Sequence, residues 1–193
     1  MIQQELQLPQ LKKAAPVVVD LFAGCGGLSL GFEAAGFRTI GYEMLADACA
    51  SYQKNLNGSC HHLTLTEEFE WVKKPDVIVG GPPCQPFSVG GHQQGLKDSR
   101  DGFPIFLSAV QCCRPQLALF ENVRGMLYRN KGYFEEILTV LRDLKYIVEW
   151  EVLTASHYGV PQRRQRLFCV AHKGGWVWPE KTDLNSPYTA GEA

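Results

Sequence analysis

Short apolar runs rich in valine and isoleucine alternate along this chain with longer stretches in which apolar residues recur at helical spacing. The runs predict buried strands at 17–22, 38–43, 60–65, 77–79, 116–120 and 146–153, and a final strand in the segment 159–171. The longer stretches predict helices at 28–36, 45–56, 103–113 and 133–144. Strands alternating with helices predict an α/β fold, with a mostly parallel sheet, helices on both faces and an antiparallel last strand.

The composition is that of an ordinary globular chain. With 193 residues, of which 45% are hydrophobic and 20% charged, it has room for one α/β core but not for two ordinary domains. No apolar run approaches the roughly 20 residues of a membrane span. The segment 1–16 lacks a signal-peptide core, so we expect no membrane partner and a cytoplasmic protein. Seven cysteines, an odd number, predict reduced thiols rather than disulfides.

The formal net charge of −1 limits how the chain can bind nucleic acid. A domain that binds duplex DNA alone usually has a basic excess, because neutralised phosphates supply much of the affinity. This chain has no such excess. If it acts on DNA, its basic residues are focused on one face, or another polypeptide segment supplies much of the contact.

The first predicted strand, Val17–Phe22, ends in a turn that favours close approach of the backbone. The turn reads Ala-Gly-Cys-Gly-Gly at 23–27 and leads into a helix, whose first N–H groups can hold an anionic group. Its spacing is not the Gly-x-Gly-x-x-Gly of dinucleotide sites, and a glycine turn alone is a weak signal. Glu43 ends the second strand, where a carboxylate binds ribose hydroxyls or else caps the next helix.

Cys84 follows an abrupt strand end. Gly-Gly-Pro-Pro at 80–83 stops the strand 77–79, so the thiol is held at the rim of the sheet. This position suits a nucleophile, and the alternative is a small buried apolar residue. Glu121 follows the strand 116–120 and is expected at the same edge, where thiol and carboxyl form a chemical pair.

Three further segments are candidates for a site. The polar, glycine-rich stretch 89–102 predicts a mobile loop that closes over a substrate, although a flexible surface connection has the same composition. Arg163, Arg164 and Arg166 predict a fork for an anion or a base edge, with solvated charge as the alternative. The Cys-His-His cluster at 60–62 lacks the spacing of a zinc site, and we expect no metal.

Four segments in a fixed order resemble one protein family. They are Asp-Leu-Phe-Ala-Gly-Cys-Gly-Gly-Leu-Ser-Leu-Gly at 20–31, Gly-Gly-Pro-Pro-Cys-Gln-Pro-Phe-Ser at 80–88, Glu-Asn-Val at 121–123, and Gln-x-Arg-x-Arg at 162–166. With them, roughly residues 17–171 resemble the DNA (cytosine-5) methyltransferases. The resemblance implies a Rossmann-like S-adenosylmethionine-dependent methyltransferase fold. It also implies a tail over 1–16, a catalytic and cofactor-binding domain over 17–171, and a tail or link over 172–193.

The resemblance implies where the cofactor, S-adenosyl-L-methionine, binds. The glycine turn cradles its methionine portion, Phe22 packs against the adenine, and Glu43 binds the ribose. The implied cofactor residues are Asp20, Phe22, Ala23, Gly24, Cys25, Gly26, Gly27, Leu28, Glu43, Met44, Leu63, Gly81 and Pro83. Where the family usually has an aspartate for the adenine amino group, this chain has Leu63, so we expect backbone groups there to substitute.

The resemblance implies four catalytic residues, which are Cys84, Glu121, Arg164 and Arg166. Cys84 adds to C6 of cytosine, so the site must favour the thiolate or remove its proton on addition. Glu121 hydrogen-bonds to or protonates N3, while Arg164 holds the base carbonyl and orients the glutamate. Further contacts to the substrate are implied for Pro83, Gln85, Ser88, Asn122, Val123 and Gln162. These atoms cannot reach a stacked base, so the target must be flipped out of DNA.

The family's target-recognition region and terminal segment do not follow the last motif. We therefore expect a fragment, or one subunit whose partner polypeptide supplies recognition, from a restriction-modification system or a phage. Two alternatives stay open. One is a tRNA methyltransferase with the same chemistry, and the other is a catalytically silent subunit that binds only cofactor or a partner. The target DNA sequence cannot be read from these residues.

Overall fold

A computed structural model describes residues 8, 14–71, 74–84 and 101–182. Within these ranges one sheet contains the strands β1 (Val17–Leu21), β2 (Arg38–Glu43), β3 (Ser59–His62), β4 (Val77–Gly80), β5 (Leu117–Val123), β6 (Ile147–Thr154) and β7 (Gln165–His172). The helices are α1 (Gly27–Ala34), α2 (Ala46–Asn55), α3 (Phe103–Cys113) and α4 (Lys131–Asp143), with short 3₁₀ helices at Arg124–Leu127 and Ala155–Tyr158. The strand order is β3-β2-β1-β4-β5-β7-β6.

The described residues belong to two compact units, of which the first takes in Met1–Pro82 and Pro104–Ala118. Here β1 pairs in parallel with β2 on one side and with β4 on the other, so that Val19 lies opposite Ile40 and Ile78. The strands β1 and β4 are apolar runs that are buried along almost their whole length. Such continuous burial is typical of parallel strands that are covered on both faces.

The second unit takes in Pro83–Phe103 and Leu119–Ala193. Its helix α4 buries one face at helical spacing, formed by Tyr133, Phe134, Ile137, Leu138 and Leu141. The strands β6 and β7 pair antiparallel, with Trp150 opposite Cys169. The ring of Phe134 packs edge-on against Trp150, at 5.7 Å between centroids, which joins α4 to this strand pair.

The structure confirms the predicted α/β fold, with a mostly parallel sheet and one antiparallel strand pair. Two strand ends differ from the prediction by three residues. β5 continues through Glu121, Asn122 and Val123, and β3 ends at His62. Among the helices of the described ranges none has the length and apolar composition that a membrane crossing requires, and the longest, α4, has 13 residues.

Candidate active site

The turn that follows β1 has a strained backbone. Phe22, Gly24 and Gly26 have φ angles of 59°, 54° and 90°, in the left-handed region. For a bulky residue such as Phe22 this conformation costs of order 1–3 kcal/mol, and such strain concentrates at functional sites. A Cβ at Gly26 would lie 2.7 Å from a ring carbon of Tyr52, so the core beneath the turn requires glycine there. Both constraints hold the turn in one shape.

Glu43 fixes the same turn from the end of β2. The residue is buried, and its carboxylate oxygens accept hydrogen bonds from the N–H groups of Gly24 and Leu45, each at 2.8 Å. Leu45 is the N-cap residue of α2, so this bond fixes the chain at the start of that helix. The bond to Gly24 also brings the carboxylate to the glycine turn, where the ribose-binding interpretation requires it.

Asp20 is a second buried acid next to this turn. It is only 1% exposed, and one carboxylate oxygen accepts a hydrogen bond from the Ser29 hydroxyl at 2.7 Å. Burial raises the pKa of Asp20 from 3.8 to about 6, hydrogen bonds from Ser29 lower it, and the charge of Glu43 raises it further. Two buried carboxyl groups near one turn create an electrostatic environment that favours a cationic ligand.

The glycine turn leaves room for a ligand. A Cβ added at Gly24 or Gly27 would meet no atom within 4 Å. The first N–H groups of α1 have no carbonyl partner within the helix. Of the other implied cofactor residues, Ala23 and Gly26 are buried, Leu28 is half-buried, and the exposed ones are Cys25, Met44, Gly81 and Pro83. An open turn at a helix start, with two buried acids, fits the carboxylate, ribose and positive charge of S-adenosylmethionine.

Leu63 lies among the backbone groups that we expected to bind adenine. The residue is half-buried, and its backbone N–H donates to the carbonyl of Glu43 at 2.9 Å. Because that donor is engaged, recognition of adenine through the Leu63 amide would require this bond to break.

Cys84 is half-buried in the second unit, close to the end of β4 in sequence. Its sulfur accepts a hydrogen bond from Nδ2 of Asn130 at 3.4 Å. Burial raises the pKa of the Cys84 thiol above its ordinary value, the bond from Asn130 lowers it, and the charge of Asp101 raises it. Since the net direction is upward, the thiol is mostly protonated at neutral pH. Proton removal during addition therefore fits this site better than a resting thiolate does.

Asp101 and Tyr133 form a buried pair in the same unit. The Tyr133 hydroxyl donates a hydrogen bond to Oδ2 of Asp101. The N–H of the next residue, Gly102, donates to the carbonyl of Pro83 at 2.9 Å. Because Pro83 directly precedes Cys84, these bonds fix the backbone that leads to the thiol.

Glu121 forms an ion pair with Arg166. The Nε of Arg166 lies 2.8 Å from Oε1 of Glu121, and about a quarter of each side chain is exposed, 24% and 25% respectively. The contact is possible because β5 and β7 are neighbours in the sheet. Arg164, which we expected to orient the glutamate, precedes the first residue of β7 and is exposed. In this structure Arg166 makes the contact to Glu121, and the role expected of Arg164 stays a prediction.

The residues implied for the substrate are described only in part. Asn122 is buried, and its Oδ1 accepts a hydrogen bond from the N–H of Val123, which is 51% exposed. Gln162 is exposed in the loop before β7, where its carbonyl accepts the Arg164 N–H at 2.9 Å. Outside the described residues lie Gln85, Ser88 and most of the predicted mobile loop.

Three features of the second unit were missed from sequence. Asn130 precedes a helical pattern, where an asparagine indicates a cap rather than a contact to a thiol. Asp101 lies in a polar stretch, where burial is not expected. Arg124 donates to Oε1 of Gln165 at 2.8 Å and to the Tyr128 hydroxyl at 2.9 Å, which ties the chain after β5 to β7. Asparagine and aspartate are residue types that commonly cap helices, so the sequence contains a local signal at Asn130 and Asp101. It contains none for the contact between Arg124 and Gln165.

Comparison with known proteins identifies the family. The family model C-5 cytosine-specific DNA methylase matches residues 17–190. The Type II methyltransferase M.AplI of Arthrospira platensis is 56% identical over 192 residues, which are 100% of this chain and 56% of that protein. M.NaeI of Lentzea aerocolonigenes is 37% identical over 185 residues, which are 86% of this chain and 43% of that protein. For M.AquIA of Picosynechococcus sp. the identity is 34%, over 86% of this chain and 76% of that protein.

The chain therefore spans about half the length of the first two relatives. Among solved structures, a proposed DNA modification methyltransferase encoded in an E. coli prophage superposes with a TM-score of 0.73 at 26% identity, over 92% of this chain and 54% of that one. DNMT2 of Spodoptera frugiperda superposes with a TM-score of 0.68 at 22% identity, over 89% of this chain and 54% of that one, and shares the Rossmann-like methyltransferase fold. The family model matches nearly the whole length of the chain, and the motifs and the fold agree with that match. The chain therefore belongs to the C-5 cytosine-specific DNA methylase family.

Proposed function

We propose that this chain is the catalytic part of a DNA (cytosine-5) methyltransferase. It transfers a methyl group from S-adenosylmethionine to C5 of a cytosine flipped out of DNA, through a covalent bond between Cys84 and C6 of the base. The observation that carries the proposal is the ion pair between Glu121 and Arg166. Two residues that the motifs assign to the base are thus in contact, and both belong to the compact unit that contains the thiol.

Different residues would hold the cofactor and act on the base. Asp20, Phe22, the glycine turn and Glu43 would hold S-adenosylmethionine, which when bound supplies an electrophilic methyl group. The sulfur of Cys84 forms the bond to C6, and the electron pair of the C5–C6 double bond moves into the ring, so that C5 becomes nucleophilic. The thiol gives its proton to water as this bond forms, because burial disfavours a resting thiolate.

Glu121 acts on the charge that the addition pushes into the ring. That charge collects at N3, where a protonated Glu121 donates a hydrogen bond or the proton itself. Arg166 keeps the carboxyl group in place through Nε, and its Nη1 donates to the carbonyl of Gln165 at 2.8 Å, so the arginine is itself fixed. Once C5 has accepted the methyl group, water takes the C5 proton and the electron pair of that bond restores the C5–C6 double bond. The bond from C6 to sulfur breaks, its electron pair stays on the sulfur, and Cys84 is regenerated.

DNA is the proposed substrate, and its recognition would need further polypeptide, in the same chain or in a partner. The family description and the Type II methyltransferase relatives support DNA. The formal net charge of −1 supports a second source of contact, because phosphate binding requires a basic surface. The greater length of two of these relatives is consistent with that requirement.

The test is transfer of a radioactive methyl group from S-adenosylmethionine to mixed-sequence DNA and to tRNA, with any separate recognition polypeptide added. We expect label at C5 of cytosine in DNA, lost in Cys84→Ser and kept in Cys112→Ser, a variant at an exposed cysteine of α3. Transfer to tRNA alone would overturn the choice of substrate. Cofactor binding without transfer to either nucleic acid would support a silent subunit and contradict the proposal.

A further inference from the structure

Asn130 occupies the N-cap position of α4 but does not cap it. Asparagine is favoured at this position because its side-chain oxygen accepts an N–H of the first turn. Here the side chain makes no such bond, and only the backbone carbonyl acts, accepting the Phe134 N–H at 2.9 Å. The side-chain amide of Asn130 therefore does not stabilise the start of α4.

The amide contacts the thiol of Cys84 instead. Its Nδ2 lies 3.4 Å from the sulfur, within range of an N–H···S hydrogen bond. Its Oδ1 is buried and has no hydrogen-bond partner among the residues that the structure describes. A buried amide kept only for structure normally uses both ends, so the contact to sulfur is the feature that accounts for its position.

We propose, resting on the function proposed above, that Asn130 is a positioning residue that orients the Cys84 sulfur and stabilises the thiolate as it forms. An N–H donor favours the charged form of the sulfur. While the thiol is protonated, rotation of the amide presents Oδ1 to the S–H, so one side chain serves both protonation states.

The other described groups that influence Cys84 act against the thiolate. Burial raises the pKa of Cys84, as does the charge of Asp101, whose carboxylate accepts the Tyr133 hydroxyl. The bond from Asn130 lowers that pKa. Loss of the amide would thus leave the thiol with neighbours that all favour its protonated form.

The test measures the pH dependence of iodoacetamide alkylation at Cys84 in the full chain, read on the tryptic peptide that contains it. Asn130→Ala removes the donor, and Asn130→Ser replaces the amide with a shorter hydroxyl group. Serine remains a good N-cap, so the second variant keeps α4 stable. We expect the midpoint for Cys84 to rise by about one pH unit in both variants, the size of one hydrogen bond to a charged group. The midpoint of exposed Cys25 serves as an internal reference. Asn55→Ser, on the exposed face of α2, is the matched control.

An unchanged Cys84 midpoint in folded Asn130→Ser would overturn the inference, whatever the methylation assay shows. A raised midpoint in a protein whose methyl transfer does not depend on Cys84 would support the contact and contradict the proposed function. The two hypotheses therefore fail on different measurements.

Discussion

Asp20→Asn is expected to stabilise the protein at neutral pH, with a gain that depends on pH. The carboxyl group is almost fully buried, and burial raises the pKa of Asp20 from 3.8 to about 6. Since each tenfold change in an ionisation equilibrium is worth about 1.4 kcal/mol, this rise corresponds to about 3 kcal/mol. The folded protein binds the proton more tightly than the unfolded chain does. The stability that protonated Asp20 contributes to the folded protein is therefore complete below pH 3.8, and it is lost as the pH rises through about 6.

The assay is urea unfolding of the wild type and the variant between pH 4.5 and 7.5. Between pH 4.5 and 7.5 we expect the difference in free energy of unfolding between Asp20→Asn and wild type to grow by about 2 kcal/mol. The growth is smaller than the full effect because part of that effect lies below pH 4.5. Effects of carboxylates that do not interact with Asp20 cancel in the difference, and a lost bond to Ser29 shifts it by an amount that does not depend on pH. Asp143→Asn, at an exposed position, is the control. Its free energy of unfolding relative to wild type should change by less than about 0.5 kcal/mol over the same pH range. A difference for Asp20→Asn that is flat with pH would refute the reasoning.

The same substitution should weaken cofactor binding. A buried acid that destabilises the folded protein at neutral pH is a candidate for a role in binding a cation, and S-adenosylmethionine is positively charged at sulfur. We therefore expect the more stable Asp20→Asn variant to bind S-adenosylmethionine less tightly than wild type in titration calorimetry at pH 7.5. Equal affinity would remove Asp20 from the cofactor site.

Two further predictions concern the glycine turn and the ion pair. Gly26→Ala should lower the free energy of unfolding by about 3 kcal/mol, through the left-handed backbone and the contact with Tyr52, whereas Gly27→Ala should be tolerated. Equal urea unfolding midpoints for the Gly26→Ala and Gly27→Ala variants would contradict this prediction. Arg166→Ala should lower kcat for methyl transfer about 100-fold, because it removes the group that holds the catalytic carboxyl. Arg163→Ala, at an exposed neighbour, should stay near the wild-type rate, and similar losses in both would contradict a specific role.

The fold could be read from the sequence because central strands such as β4 are contiguous apolar runs. Val77–Gly80 is buried at every position, and the glycines and prolines after it mark the strand end, so the location of Cys84 followed directly. The order of the strands could not be read in this way. β7 lies between β5 and β6, an arrangement that depends on long-range pairing rather than on any local pattern.

The sequence indicates candidate site residues but not the contacts among them. Alternation along an extended chain gave Arg164 and Arg166 the same face, yet the strand begins at Gln165, so only Arg166 lies within it. The contact between Asn130 and Cys84 joins residues that are far apart in sequence. The raised pKa of Asp20 depends on how completely the fold excludes water, which no local pattern reveals.

The central claim is that the sulfur of Cys84 bonds to C6 of cytosine. It is tested most directly with DNA in which 5-fluorocytosine replaces every cytosine, so that the target is present whatever its sequence. Fluorine cannot leave C5 as the proton does, and the covalent complex persists. With S-adenosylmethionine and any separate recognition polypeptide present, mass spectrometry should find the nucleotide attached to Cys84, and none in Cys84→Ser. Bound, methylated DNA without an adduct, or an adduct at another cysteine, would contradict the account.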